Sequence, residues 1–295
     1  MVKKNKVKTL FGIACAALLF ICSSCSDSGQ NNKLSSKQTS SIVNDTASTQ
    51  MTLIGQEQSS EQPPYDLNTL DNTCIGWGAG NEKNHARPSS AVSFNQKYSE
   101  YNARFIGDDV KEIYLTFDEG YENGYTASIL DTLKDKKVKA VFFVTYDYVK
   151  RNPELVRRMI DEGHTLGNHS WSHPSMPSCG VEEAREEIMR LHNLVKEEFN
   201  YEMRLFRFPM GEFSERMLAA VKECGYQSVF WSFAYVDWNV DNQPDEKAAL
   251  QKIENGAHNG AIYLLHAVSK TNNNILANAI ENLRKQGYTW SEYDL

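Results

Sequence analysis

The strongest constraint on the fold is a regular alternation along the chain after Asp109. Short runs of β-branched and aromatic residues alternate there with amphipathic stretches of helical period, which predicts crossover helices and a mainly parallel sheet. The predicted strands are residues 113–117, 140–145, 164–168, 204–208, 228–233, 261–266 and 288–293. The predicted helices are residues 125–137, 153–162, 181–199, 214–224, 245–254 and 274–286. About seven strands favour an α/β fold with a distorted (β/α) barrel, although an open doubly wound sheet would give a similar pattern.

The first residues have the pattern of an export signal. Four lysines at positions 3, 4, 6 and 8 precede an apolar run from Leu10 to Cys22, which is too short to span a membrane comfortably. The run closes on CSSC, which resembles the lipobox of bacterial lipoproteins with Cys25 as the acylated residue. We expect a lipoprotein-type signal peptide at residues 1–24 and an extracytoplasmic protein anchored to the membrane through Cys25. A soluble secreted protein cut near Ser24 is the alternative.

Composition divides the rest of the chain into three parts. Residues 25–62 are rich in Ser, Gln, Asn and Thr, so they cannot bury enough apolar surface to fold and are predicted to form a disordered tether. Residues 63–107 carry aromatic side chains without clear periodicity, and we expect them to form an arm packed on the domain that follows. Residues 108–295 contain the alternating elements and are the predicted functional domain.

Charge and cysteine content exclude two classes of protein. Removal of residues 1–24 takes away four lysines and no acid, which changes the formal net charge from −7 to −11. Because no basic stripe replaces them, nucleic acid is not an expected partner. Beyond Cys25 only Cys74, Cys179 and Cys224 remain, without Cys-x-x-Cys spacing. We therefore predict neither a disulfide framework nor a zinc knuckle.

The prominent titratable residues lie at the ends of predicted strands. Asp118 and Glu119 follow the first strand, and His169 follows the third. Arg207 lies near the end of the fourth strand, and His266 ends the sixth. Active residues of parallel α/β folds lie at the carboxyl ends of their strands, so these side chains are candidates for one common site.

The segment GNHSWSHPSM adds a possible metal site. His169 and His173 stand four apart, which suits one face of a helical turn, but Pro174 disfavours helix in the residue before it. The pair is therefore expected on a single turn or in a loop. Two histidines and one carboxylate leave open positions on a zinc-like ion, a second carboxylate can act as a base, and a further histidine can protonate a leaving nitrogen. Asp118, Glu119, His169, His173 and His266 supply that set. A non-haem iron oxygenase uses the same two-histidine, one-carboxylate set, but it would not require the Asp118 base or the His266 acid.

Five short motifs in this order resemble those of the NodB-type polysaccharide deacetylases, carbohydrate esterase family 4. They are TFDEG (116–120), HSWSH (169–173), RFPMG (207–211), DW (237–238) and LLH (264–266). The stretches FDEGYENGYT and WSFAYVDW, with the aromatic arm, further resemble the delta-lactam-biosynthetic branch that acts on peptidoglycan. The resemblance covers residues 108–295 and implies a NodB homology domain with deacetylase activity.

Roles follow from the resemblance position by position. It implies that Asp118 is the general base, that His266 is the general acid, and that His169 and His173 bind a divalent metal, expected to be zinc. It also implies that Arg207 holds Asp118 by a charge-assisted fork and that Asp237 orients His266 and raises its pKa. The candidate substrate contacts are Trp238, Leu264, Pro209 and Tyr121, with Trp171 and Trp231 as weaker sugar platforms.

Two positions depart from the family pattern. The metal-binding aspartate of the family is Glu119 here, one methylene longer, so it could bind the metal directly, through water, or not at all. Ala234 stands where the family often has an acid, three residues before Asp237.

The expected function is removal of N-acetyl groups from peptidoglycan glycan strands, on N-acetylmuramic acid, by a monomer. A muramic carboxylate needs a cation to receive it, and Arg204, Arg207 and Arg216 are the nearest in sequence. The alternatives are a chitooligosaccharide or N-acetylglucosamine deacetylase, an O-acetyl esterase, and an inactive wall-binding module.

The lipid anchor can be tested by replacing the acylated residue. A Cys25→Ser variant should leave the membrane fraction, because each buried CH₂ of an acyl chain contributes about 0.8 kcal/mol to membrane partitioning. Fractionation of cells that express either form measures this. Membrane association of the variant equal to that of the unaltered protein would contradict lipidation.

Overall fold

Nine parallel strands form the main sheet of the computed structural model, which describes residues 66–80 and 84–294. The strands of the chain are β1 (Ile75–Gly76), β2 (Ala103–Arg104), β3 (Glu112–Glu119), β4 (Ala140–Val144), β5 (Thr165–Asn168), β6 (Leu205–Phe206), β7 (Glu212–Phe213), β8 (Gln227–Val229), β9 (Phe233–Ala234), β10 (Ala261–His266) and β11 (Thr289–Trp290). The helices are α1 (Ser89–Lys97), α2 (Thr126–Lys136), α3 (Tyr146–Arg151), α4 (Pro153–Asp161), α5 (Val181–Phe199), α6 (Glu215–Glu223), α7 (Glu246–Asn255) and α8 (Lys270–Lys285). The predicted signal peptide, Cys25 and the tether lie outside the described residues.

The sheet confirms the predicted distorted (β/α) barrel. Eight strands follow one another in the order β2-β8-β6-β5-β4-β3-β10-β9, and β11 pairs with the first residues of β3. The sheet curls, so a small apolar cluster lies on one face and the larger core lies on the other, beneath the helices. Tyr114, Val141, Phe143, Val229 and Ile262 form the small cluster.

The central strands are apolar on both faces because both faces are covered. Every residue of β4 is buried, and so are all residues of β3 except the first. Parallel strands in such a position read as continuous hydrophobic runs, which is why the sequence pattern located β3, β4 and β10 closely. The charged residues buried in these strands, Asp118 and Glu119, lie at the carboxyl end of β3.

The predicted strand 228–233 is wrong as a single element, because the chain changes neighbours in the middle of it. β8 lies between β2 and β6, whereas β9 pairs with β10 at the other edge of the sheet. Between them, Phe230 N donates to Arg104 O on β2 and Ser232 N donates to Ile262 O on β10. Residues 230–232 therefore carry the chain across the seam of the curled sheet.

Some element boundaries also differ from the pattern. α8 begins at Lys270 rather than at residue 274, because Ser269 caps it by accepting a hydrogen bond from Asn272 N at 3.1 Å. The sequence analysis missed α1 and α3. α3 is a single short element N-capped by Thr145, and it follows directly on β4.

Residues of the predicted arm make specific contacts with the sheet. β1 pairs antiparallel with β7, and Trp77 Nε1 donates to Trp231 O at 2.9 Å. The Trp77 ring packs edge-on against Phe105 and Phe230, with centroids 4.7 and 6.3 Å away. The division of the chain into signal peptide, tether, arm and domain stays a prediction. Within residues 66–80 and 84–294, no helix is long and apolar enough to cross a membrane.

Candidate active site

The register of the parallel strands brings the predicted acid and base together. Asp118 on β3 lies directly beside His266 on β10, and both are at the carboxyl ends of their strands. On the other side of β3, His169 N donates to Val144 O at the end of β4. Arg207 N donates in turn to Asn168 O at the end of β5. The carboxyl ends of five neighbouring strands, β6, β5, β4, β3 and β10, thus lie along one edge of the sheet.

A cleft of about 660 Å³ opens at this edge. Seven of the residues predicted from sequence line it: Asp118, His169, His173, His266, Tyr121, Trp238 and Trp171. Tyr121 and Trp238 are about half exposed, so their rings are available to a ligand. The volume is in the range of small-molecule sites, and a chain of sugars could extend beyond it because the cleft is open.

Arg207 holds the predicted base in its charged form. The guanidinium is fully buried, and its Nη1 donates to Asp118 Oδ1 at 2.9 Å and to Thr116 Oγ1 at 2.7 Å. Burial raises the pKa of the Asp118 carboxyl, but the charges of Arg207, His169 and His266 outweigh it, so that the pKa lies below its usual value. Asp118 is therefore an anion at neutral pH and able to accept a proton.

The expected two-pronged fork between Arg207 and Asp118 is not formed. The other nitrogens of Arg207 are taken by backbone carbonyls: Nε donates to Val229 O at 3.0 Å and Nη2 to Phe230 O at 3.1 Å. A buried guanidinium must satisfy all of its donors, and the carbonyls after β8 satisfy two of them. Arg207 thus connects β6 to both β3 and the seam beside β8.

Asp237 holds the predicted acid from the opposite side. This carboxylate is fully buried, and it accepts hydrogen bonds from His266 Nδ1 at 2.7 Å and from His266 N at 2.9 Å. Burial lowers the pKa of His266, but the hydrogen bond and charge of Asp237, with the charge of Asp118, outweigh it and leave the pKa above its usual value. His266 can therefore be protonated near neutral pH, with Nε2 as the nitrogen left free by Asp237.

His169 and His173 are neutral and close together. Their ring centroids lie 4.8 Å apart, and burial lowers the pKa of His169 to about 4 and that of His173 below its usual value. His169 Nδ1 donates to Arg207 O at 2.9 Å, which leaves Nε2 as the lone-pair nitrogen. Neutral imidazoles oriented by a backbone carbonyl are the form that binds metals, so the pair fits a divalent ion. The segment is a tight loop rather than a helical turn, with His173 at φ 60°.

Glu119 is not brought to this pair. Its side chain is buried, neither carboxylate oxygen has a hydrogen-bond partner, and it is not among the residues that line the cleft. Burial, with the charges of Glu122 and Asp118, raises the pKa of Glu119 well above its usual value. Among the described residues, no group of three His, Cys, Asp or Glu side chains is arranged to hold a metal. The ligand role of Glu119 stays a prediction.

Other predicted contacts are buried or are covered by neighbouring side chains. Leu264 and Pro209 are buried and do not line the cleft, so their part in an acetyl pocket stays a prediction. Trp171 is covered on its ring faces: Tyr146 stacks on it with centroids 3.8 Å apart, and the Arg190 guanidinium lies 4.1 Å from its centroid. Trp171 therefore contributes an edge rather than a sugar platform.

Trp231 is also committed to packing. A Cβ atom at Gly211 would lie 2.7 Å from its ring, and Gly211 has φ +69°. Glycine is thus required at the last position of RFPMG both by the left-handed backbone and by the approach of Trp231. The role of Trp231 here is to hold the turn that follows Arg207.

The arginines considered for a muramic carboxylate are engaged elsewhere. Arg204 precedes β6 and pairs with Glu202, and Arg216 on α6 donates to Leu70 O and Asn68 O. Neither lines the cleft, and Arg207 is buried beneath Asp118. That expectation was wrong because nearness in sequence to Arg207 does not place a side chain at the carboxyl end of the sheet.

Tyr146 and Asp147 line the cleft and were missed by the sequence analysis. They follow β4, so the strand-end rule that selected Asp118 and His169 would also have selected them. They were overlooked because the residues after β4 belong to the short helix α3, which was not predicted.

Comparisons with known proteins identify the family of this chain. The family model for polysaccharide deacetylases matches residues 106–229. Peptidoglycan-N-acetylmuramic acid deacetylase PdaA of Bacillus subtilis is 44% identical over 227 residues, which span 76% of this chain and 86% of that protein. The solved structure of Bacillus subtilis PdaA, a family 4 carbohydrate esterase, matches with a TM-score of 0.73 and 43% identity, and covers 76% of this chain and 96% of that one.

A more distant relative acts on the other peptidoglycan sugar. Peptidoglycan-N-acetylglucosamine deacetylase PgdA of Listeria monocytogenes is 35% identical over 184 residues, which span 62% of this chain and 38% of that protein. Fold, site and comparisons together define a hydrolase of the carbohydrate deacetylase class. The chain belongs to the polysaccharide deacetylase family.

The metal site can be tested by direct binding measurements. His169→Ala and His173→Ala should each weaken zinc binding by about 100-fold or more, since loss of even an outer partner of a ligand costs about 10- to 100-fold. Glu119→Ala should weaken it less, because Glu119 does not line the cleft. Competition with a chelating dye measures the affinities. His192→Ala, which removes a histidine of α5 whose ring is hydrogen-bonded to Tyr226, is the control. Unchanged affinity in Glu119→Ala would exclude Glu119 as a ligand.

Proposed function

We propose that the protein hydrolyses N-acetyl groups on peptidoglycan glycan strands, with N-acetylmuramic acid as the sugar. The observation that carries this proposal is the pair Asp118 and His266, side by side on β3 and β10 and tuned in opposite directions by Arg207 and Asp237. The choice of sugar rests on the high similarity to Bacillus subtilis PdaA over most of both chains.

In the proposed mechanism, Asp118 accepts a proton from a water molecule whose oxygen attacks the acetyl carbonyl carbon. Protonated His266 donates a proton to the amide nitrogen, which would otherwise be a poor leaving group. The carbon–nitrogen bond then breaks, and acetate and the sugar amine leave. A divalent ion held by His169 and His173 would supply a Lewis acid that polarises the acetyl carbonyl. Tyr121 and Trp238 would contact the sugars at the rim of the cleft.

A muramic amine could react further. Its nitrogen lies on the same sugar as the lactyl carboxyl group when the peptide is absent, and condensation of the two with loss of water gives a muramic delta-lactam. We propose this as a later step, which takes place spontaneously or in the same site.

Three alternatives differ in what the cleft accepts. An N-acetylglucosamine or chitooligosaccharide deacetylase, or an O-acetyl esterase, would use the same acid and base. The similarity to Listeria monocytogenes PgdA favours N-acetylglucosamine as the second candidate sugar. An inactive wall-binding module would need neither Asp118 nor His266, and the two are here held by separate buried partners.

The proposed substrate lies outside the cell membrane, which agrees with the predicted export signal. We propose that Cys25 carries the lipid anchor and that residues 25–62 let the domain reach the wall. Each part of this arrangement is an inference from the sequence of the first residues.

The substrate can be determined by mass spectrometry of treated glycans. Peptide-free glycan strands incubated with the enzyme should lose 42 Da per muramic residue, roughly the mass of an acetyl group less one hydrogen, or more where lactam closes. The Asp118→Asn variant should be slower by roughly 10²- to 10⁴-fold, because a neutral amide cannot accept the proton. Loss of acetyl groups from chitin oligomers alone would replace muramic acid by the chitin-type substrate.

The acid role of His266 predicts a defined pH dependence. Protonated His266 is needed, so kcat should fall as pH rises through a pKa that lies above 6.5. Asp237→Asn removes the negative charge that raises the pKa of His266. Burial, which lowers this pKa, then has less opposing it. The alkaline limb of the kcat profile should therefore move to lower pH. A limb at the same pH in both proteins would show that another group limits activity.

A further inference from the structure

Asp237 is held by a third donor besides the two from His266. Asn272 Nδ2 donates to Asp237 Oδ2 at 2.6 Å and also to His266 O at 3.1 Å. Asn272 is 1% exposed and lies in the first turn of α8, where its backbone N donates to Ser269 Oγ. One buried amide group therefore contacts both the carboxylate partner of the general acid and the backbone of the acid itself.

The Asn272 amide is itself oriented by a hydroxyl group. Tyr235, which is 6% exposed, donates its hydroxyl to Asn272 Oδ1. The Asn272 oxygen accepts from the Tyr235 hydroxyl, and the Asn272 nitrogen donates to the Asp237 carboxylate. Because a carboxylate can only accept, these contacts assign the oxygen and the nitrogen of the amide. Tyr235, Asn272, Asp237 and His266 form a continuous hydrogen-bonded chain, called here the acid chain.

The acid chain holds Asp237 in place although Asp237 lies in a loop. Asp237 lies in the segment between β9 and α7, next to the exposed side chains of Val236 and Trp238. Asn272 connects this segment to α8. Gln243 fastens the same segment by donating through Nε2 to Asp237 O, while its Oε1 accepts from Ser269 Oγ.

We propose that Asn272 is a positioning residue for catalysis, which acts through Asp237 to keep the Nδ1 nitrogen of His266 paired and the ring fixed. This inference rests on the proposed acid role of His266. With the amide removed, Asp237 Oδ2 keeps only the donor from His266 N, and loss of one of its two hydrogen bonds weakens the hold on a buried carboxylate. The carboxylate would then rotate or admit water, and the ring of His266 would lose its fixed orientation.

Several charged groups besides Asp237 act on His266 and remain in place when Asn272 is changed. Asp118 on β3 is a negative neighbour, whereas Arg207 after β6 and His173 in the loop after β5 are potential positive ones. The Trp238 ring lies edge-on to His266 with centroids 5.6 Å apart. A change in His266 on substitution of Asn272 would therefore report on Asp237 rather than on these groups.

The test uses nuclear magnetic resonance of the histidine rings in the full protein and needs no substrate. A His266→Gln variant assigns the His266 signals, and their pH titration gives the ring pKa and the Nδ1 proton shift. In Asn272→Ala the Nδ1 proton should lose its strong hydrogen-bond shift and the pKa of His266 should fall. Tyr235→Phe, which keeps the amide and removes one hydroxyl, should move both in the same direction by less, and it serves if Asn272→Ala does not fold.

Activity supplies the second readout. For the acetylated substrate that the unaltered enzyme accepts, kcat should fall by about 10-fold in Asn272→Ala with KM nearly unchanged, a part of the roughly 10²- to 10⁴-fold that a positioned acid contributes. The matched control is Asn274→Ala in the same turn of α8. Asn274 is exposed and bonds Glu246 instead. It should leave kcat and the His266 signals as they are.

The outcomes separate this proposal from the proposed function. Unchanged His266 signals and kcat in folded Asn272→Ala and Tyr235→Phe, even with a lower Tm, would overturn the positioning role and leave a structural one. Altered His266 signals in an enzyme that deacetylates no glycan would support the positioning role and refute the proposed function.

Discussion

The site depends on one buried cation. Arg207 is fully enclosed by protein, and the groups that satisfy its donors come from two parts of the sheet: Thr116 and Asp118 on β3, and the carbonyls of Val229 and Phe230 at the end of β8. Removal of the Asp118 carboxylate would leave the buried guanidinium without its counter-charge, which costs about 3–5 kcal/mol for a broken buried ion pair. The guanidinium therefore fixes the spacing of strand ends on which the catalytic side chains stand.

Two carboxylates have different tasks here because their surroundings differ. Asp118 lies beside a permanent cation and faces the cleft, so it stays ionised and accessible. Asp237 is fully buried, and its hydrogen bonds come from His266 and Asn272. Acid–base enzymes commonly give similar carboxylates different roles through their surroundings. Two neighbouring strands, β3 and β10, then present a ready base and a ready acid side by side.

The same separation accounts for the neutral histidines. His169 and His173 lie beside Asp118, yet burial keeps their pKa values low, whereas His266 has the added charge of Asp237 and its pKa is high. Three histidines near one cleft thus have pKa values shifted in different directions. The pair with lowered pKa values suits metal binding and the one with a raised pKa suits proton donation, which are the two histidine roles that amide hydrolysis with a metal requires.

The order of strands and helices, the barrel class and the placing of Asp118, His169 and His266 at strand ends followed from the sequence, because buried parallel strands are continuous apolar runs and their ends are where polar residues begin. Local pattern could not decide which side chains meet across the sheet. Four findings depend on partners far away in the chain. They are the break in residues 228–233, the separation of Glu119 from the histidine pair, the contacts of Arg204 and Arg216 outside the cleft, and the link from Tyr235 through Asn272 to Asp237. Those contacts are set by strand register and by the docking of α8, and they exist only once the tertiary structure has formed.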